Sequence, residues 1–191
     1  MLLSYDELRD LVAQGVIDAP ESQINGASID IRIQKEIQVE TRPVYPEGVG
    51  AVPTVDITDK NHRVLPTFHR ITMGPEGYLI PPGGCVLAAT IERFRLPPDI
   101  TSELRIKSTP ARCFLNNILA TWCDPWWGYE TEDDTCLTLE LVNQMRYHWF
   151  RIVPGMSVGQ MIFNRVTPVP RDRGYAVRGS YNGTARAEVS R

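Results

Sequence analysis

The sequence predicts an all-β domain, mostly strand with one short N-terminal helix. Three observations carry this. Short alternating or β-branched runs recur at a spacing of about ten residues. Pro and Gly, 15 and 14 of the 191 residues, punctuate those runs. No internal repeat and no helical second half accompany them.

The helix comes first. Ser4-Tyr5-Asp6-Glu7 has the form of a capping box, Leu8, Leu11 and Val12 give an apolar stripe, and Gly15 is a plausible stop. After the Asn25-Gly26 turn, Ile29, Ile31 and Ile33 alternate with Ser28, Asp30 and Arg32, and a second strand is expected at Ile37–Glu40. Residues 41–76 are rich in Pro, Gly and Asp. Val52–Ile57 is expected as an edge strand, where Pro is tolerated, and His62 and His69 as surface residues. Tyr78–Ile80 runs into the Pro81–Gly84 turn, and Cys85–Thr90 resumes as strand. Leu104–Lys107 leads to a short helix with Pro110 in its first turn. Further strands are expected at Ile118–Thr121, Leu137–Asn143, Trp149–Val153 and, after the Pro154-Gly155 turn, Val158–Phe163.

Length fits one domain, residues 1–191, with an arm from about 165 to the end. A net charge of −3 argues against a nucleic-acid polymer as partner. No apolar run approaches a membrane span, and the first residues do not resemble a signal peptide. Four scattered cysteines form no disulfide framework, which points to a cytoplasmic setting. Neither the His-x-Glu nor the Pro-Cys-x-x-Cys element of a zinc deaminase occurs, nor a Gly-x-x-x-x-Gly-Lys phosphate loop.

Three stretches carry chemistry. In the strand at Leu137, Glu140 shares a face with Thr138 and Val142, opposite Leu137, Leu139 and Leu141. Such an acid is either wet or, if buried, costly without a partner. Lys107-Ser108-Thr109-Pro110-Ala111-Arg112 places two cations and two hydroxyls at a helix start, a competent phosphate site. The tail holds arginines at 165, 171, 173, 178, 186 and 191 against Asp172 and Glu188, either a solvated tail or an arm closing on an anion.

Together these stretches resemble the dCTP deaminase branch of the dUTPase-like superfamily, nearly end to end. Gly26–Arg32 is similar to its Ala-Ser-x-Asp-x-Arg strand. Leu79–Gly83 and Val86–Glu92 resemble its Leu-Pro-Pro-Gly and Leu-Ala-x-Thr-x-Glu segment. Lys107–Arg112 matches Arg-Ser-Ser-x-Ala-Arg, and Asp124-Pro125 resembles an Ile-Asp-Pro-Gly hairpin. Leu137–Asn143 and Pro154–Gln160 match two further strands, and Gly179–Arg191 has the length of a closing arm.

The resemblance implies a homotrimer of distorted dUTPase-like β-barrels, of jelly-roll type, with active sites between subunits and a mobile C-terminal arm. It implies hydrolysis of dCTP to dUTP and ammonia, with Mg2+ carried on the triphosphate and no zinc. Glu140 would be the proton shuttle, a role that suits a raised pKa. Ser108 and the Ala120 carbonyl would position water, and Arg112 would orient Glu140. Lys107 would reach the phosphates, Thr109 would belong to the substrate-binding set, and Asp124 would contact the sugar or its surroundings. Tyr175, Arg178, Tyr181 and Thr184 would contact nucleotide from the arm.

The sequence departs from the family in places. Cys113-Phe114-Leu115 replaces Leu-Gly-Leu, and an insertion at Tyr129–Asp134 precedes the Glu140 strand. Ser180 and Thr184 replace a Lys and a Gln, and Trp122, Trp126 and Trp127 crowd the hairpin. The alternatives kept open are a dUTPase or combined enzyme releasing pyrophosphate, a deaminase for 5-modified dCTP, and an inactive nucleotide-binding regulator.

Overall fold

The structure is a computed structural model describing residues 1–41, 54–59, 61–117 and 120–187. Among these, ten strands occur in chain order: β1 (Ile29–Glu40), β2 (Phe68–Thr72), β3 (Tyr78–Ile80), β4 (Cys85–Thr90), β5 (Ile100–Ile106), β6 (Leu115–Asn116), β7 (Trp122–Cys123), β8 (Thr138–Asn143), β9 (Phe150–Ile152) and β10 (Ser157–Arg165). Three short helices accompany them: α1 (Tyr5–Ala13), α2 (Ser108–Arg112) and α3 (Tyr175–Arg178).

β1 organises the fold. Ile29, Ile31, Ile33 and Ile37 are all fully buried, as alternation predicts. The two strands expected here are one. Ile33 faces Thr90 of β4 and Ile37 faces Ala88, so four residues of β1 answer two of β4. An even-numbered excess bends the strand while returning its isoleucines to the same face. The first half of β1 pairs with β10, the second with β4 and β2. The curled antiparallel sheet runs β6-β8-β4-β1-β10-β5-β7, and β3 pairs with β9 apart from it.

α1 begins and ends where the sequence places it. The Glu7 carboxylate accepts from the Ser4 N–H at 2.9 Å and from the Ser4 hydroxyl at 2.8 Å. Gly15 takes the left-handed conformation that closes the helix. Leu8 and Leu11 bury its stripe.

Some expectations fall elsewhere. Val52 and Pro53 lie outside the described residues, and Asp56 makes a single bridge to Val64. Ile118 and Leu119 also lie outside them; the strand residues there are Leu115–Asn116 and Trp122–Cys123. His62 and His69 are exposed, as expected.

Two non-glycine residues adopt left-handed backbone, Phe114 (φ 55°) and Trp126 (φ 72°). Phe114 stands where the resemblance has Gly, and Trp126 directly follows Asp124-Pro125. Trp126 is firmly anchored. Its Nε1–H donates to the Val169 carbonyl at 2.8 Å, and its ring covers Gly174 so closely that a Cβ there would lie 2.1 Å from it. Phe114 is 62% exposed and has no such anchor.

Candidate active site

The alternation of β8 sets the site. Leu139 and Leu141 are fully buried, which turns Thr138, Glu140 and Val142 to the other face. That face is not simply wet. Glu140, opposite Leu87 of β4, is half-buried and lines a cavity of about 370 Å³. Phe68, Trp122, Trp127, Tyr175 and Tyr181 make much of its wall.

The cavity is closed by the segment after β10. Tyr175 N–H donates to the Pro125 carbonyl at 3.0 Å, and Cys136 N–H to Thr184 at 2.7 Å. Asn182 Oδ1 accepts from Gly128 N–H at 2.7 Å, and Gln38 Nε2 donates to the Ala187 carbonyl at 2.7 Å. The 129–134 insertion contributes Glu130, paired with Arg171 at 2.7 Å, and Asp134, paired with Arg95 at 2.9 Å. Both pairs are largely exposed, so their value is positional more than energetic.

Burial pushes the Glu140 carboxyl above the usual carboxylate range. Its own N–H, the Ala120 N–H and the Asn117 amide oppose that rise. Oε2 nevertheless closes no hydrogen bond. Burial also pushes the Cys123 thiol up to about 12, leaving it inert, and raises the Tyr175 phenol. A half-buried carboxyl with a raised pKa beside an aromatic cavity is equipped to take and return a proton.

One chain brings together some of the expected residues and not others. Glu140, Ala120, Tyr175, Tyr181 and Thr184 all line the cavity. Ser108, Thr109 and Arg112 do not; they lie exposed on α2. The expected Arg112 contact orienting Glu140 is therefore absent within the chain: no ion pair or hydrogen bond of Arg112 is formed among the described residues. Lys107 is ion-paired with Asp30 rather than free for phosphate. Asp124 accepts from Trp122 Nε1 at 2.9 Å and, like the exposed Arg178, stands outside the cavity wall.

Sequence reasoning missed Asn117, which faces Glu140 from the chain beyond β6. β6 ends at Asn116, and no periodicity in the sequence marks Asn117. It also wrongly excluded a Gly-x-Ser-x-Gly spacing, the pattern of a hydrolase nucleophile elbow, which Gly155-Met156-Ser157-Val158-Gly159 has. Ser157 instead opens β10 after a turn, with no helix following, so the elbow geometry is not formed. Among the described residues, no three His, Cys, Asp or Glu side chains cluster as a metal site. No helix there is long and apolar enough to cross a membrane.

A curled all-β sheet with a half-buried acid beneath a closing C-terminal segment is a dUTPase-like fold. It is shared with the crystal structure of 2'-deoxycytidine 5'-triphosphate deaminase from Agrobacterium tumefaciens, at a TM-score of 0.59 and 20% identity. That match covers 86% of this chain, which spans about half (48%) of the solved one, and it speaks to the fold alone.

The chain belongs to the dCTP deaminase-like family, whose profile matches residues 2–166. It is 34% identical to a dCTP deaminase, dUMP-forming, of Acidothermus cellulolyticus, over all of this chain and 95% of the relative. A dCTP deaminase of Natronomonas pharaonis is 29% identical over all of this chain and 94% of its own length. A dUMP-forming dCTP deaminase of Streptomyces coelicolor is 32% identical over all of this chain and 95% of the relative. The chain is accordingly a hydrolase of the deaminase kind, acting on the C–N bond of a deoxycytidine nucleotide.

Proposed function

We propose that the protein hydrolyses the 4-amino group of dCTP, with Glu140 as the proton shuttle. The observation that carries this is the half-buried Glu140 carboxyl, raised by burial and opening on an aromatic cavity. Ionised, it takes a proton from the water that attacks C4 and passes it to N3; ionised again, it takes the remaining proton of the C4 hydroxyl and hands it to the departing amine, which leaves as ammonia as the C4 carbonyl forms. The aromatic walls stack on the base, and Tyr175, Tyr181 and Thr184 close over the nucleotide. Mg2+ arrives on the triphosphate as part of the substrate.

The end product we propose is dUMP. The dUTP implied by the sequence resemblance gives way because two of the relatives described above are named dUMP-forming. The second step consumes a further water and releases pyrophosphate: dCTP plus two waters gives dUMP, ammonia and pyrophosphate. Asp124, exposed at the mouth of the hairpin, is the carboxylate available to that step.

The separation of α2 from the Glu140 cavity supports a homotrimer in which Ser108, Thr109 and Arg112 of one copy complete the site of the next. A cytoplasmic setting accords with four free cysteines. The test is purified protein with dCTP and Mg2+, following ammonia and pyrophosphate separately. Both products in equal amount are expected. Ammonia alone would return the product to dUTP. Neither product, with nucleotide still bound, would leave a binding regulator.

A further inference from the structure

Three buried polar atoms meet beside the proposed proton shuttle with no partner. Asn117 is 2% exposed, and neither its Nδ2 nor its Oδ1 makes a hydrogen bond. Glu140 Oε2 is the third. The amide lies near enough to the carboxyl to lower its pKa, yet not in hydrogen-bonding geometry. A buried amide with nothing bound is costly, so a fold does not ordinarily hold one idle.

The surroundings narrow what this amide is for. On β7 the titratable neighbour is Cys123, with Asp124 next along the chain; the closing segment presents Tyr175 and Tyr181; Cys136 precedes β8 itself. β4 presents Leu87 opposite Glu140, with Cys85 at its far end. Among the described residues, no Lys, Arg or His lines the cavity. Among the described residues, nothing cationic therefore offsets the burial of Glu140. The donors that can are the backbone N–H groups of Glu140 and Ala120, and the Asn117 side chain.

We propose that Asn117 is a positioning residue for Glu140: its amide swings the small remaining distance, donates to Oε2, and leaves the other carboxyl oxygen aimed into the cavity. Charged Glu140 is the state that the amide favours, since a donor stabilises a carboxylate. The shuttle thus stays ionised, and so free to accept a proton from water, although its surroundings raise its pKa. This assignment rests on Glu140 being the shuttle, as proposed above.

The decisive variant is Asn117→Leu, similar in size and without a donor. Its kcat is expected to fall about tenfold or more, with KM for dCTP nearly unchanged. Its acidic limb in the pH profile of kcat should move up by about one unit. Asn117→Ser, which keeps a donor and admits a water, should recover part of both. An unmoved limb with normal kcat, or a loss carried by KM alone, would overturn the assignment.

The carboxyl can also be read without turnover. In protein labelled with 13C at Glu carboxyls, the Glu140 signal is assigned by its loss in Glu140→Gln. Its titration midpoint should rise in Asn117→Ser, less than in Asn117→Leu if the latter folds; an unchanged midpoint in Asn117→Ser sinks the proposal. That measurement holds even if dCTP proves not to be the substrate, so failure of the function and failure of this inference are distinguishable.

Discussion

The Glu140 cavity and the Lys107–Arg112 turn are the two halves of one expected site, and they are built on opposite physics. The cavity is aromatic, closed by a docked segment, and lined by no cation among the described residues. Its carboxyl is tuned by burial. The turn is exposed and cationic, and its Lys107 is occupied by Asp30. One half shapes proton chemistry in a low-dielectric space; the other presents charge to an anion from water. The lesson is that one chain can carry the residues expected of a single site without bringing them together.

The comparison breaks first at Glu140. Glu140→Gln is expected to lower ammonia release by about a thousandfold or more while nucleotide binding persists. The variant should also be no less stable. A carboxyl whose folded pKa lies above its unfolded value favours the fold below the unfolded pKa and loses that contribution as pH rises through the folded one. At neutral pH it is a net cost, which Gln removes. Thermal melting against pH checks this: the variant's advantage should shrink as pH falls toward the unfolded carboxylate range. A variant that turns over normally would remove Glu140 from the chemistry.

Arg112→Ala tests the other half. Alone it should lower activity by roughly a hundredfold, the scale of losing a buried charged contact in the assembled site. Mixed with Glu140→Gln and reassembled, the pair should recover about a quarter of wild-type activity. In a ring where each site takes Glu140 from one copy and Arg112 from the next, a quarter of the sites are intact at equal mixing. No recovery would place both residues in one chain's site.

How much of this was legible depends on which half one reads. The β1 isoleucines and the β8 leucines follow from alternation alone, and the α1 cap from four residues. Glu140 was visible as an acid in a strand, but not the surface that covers its face. That surface comes from Phe68, the hairpin tryptophans and the segment after β10, all distant in sequence and joined by backbone hydrogen bonds that no periodicity encodes. Asn117 was invisible for the same reason. Its meaning lies in what it fails to bond.

Trp126 sharpens the contrast from the cavity side. Trp126→Gly relaxes a left-handed backbone but deletes the indole that bonds Val169 and packs on Gly174. The loss should prevail, at about 2–4 kcal/mol by denaturant unfolding. KM for nucleotide should rise as the closing segment loosens. A stable variant with unchanged KM would show that the segment needs no indole clasp.

Phe114, directly after the turn, is the smallest and most discriminating case. It shares the left-handed conformation of Trp126 yet is mostly exposed, so little packing offsets the strain. Glycine adopts that conformation freely but gives up more entropy on folding, about 0.5–1 kcal/mol. Strain of about 1–3 kcal/mol at such a residue exceeds that cost. Phe114→Gly should therefore stabilise the isolated chain by up to about 1 kcal/mol, measured by denaturant unfolding under conditions that keep the chain monomeric. In the assembled protein the sign should reverse if the exposed ring packs against a neighbouring copy, because the variant then forfeits apolar burial at about 25 cal/mol per Å². Stabilisation that persists unchanged on assembly would place Phe114 outside the contact between copies, and with it weaken the turn's assignment to a neighbour's cavity.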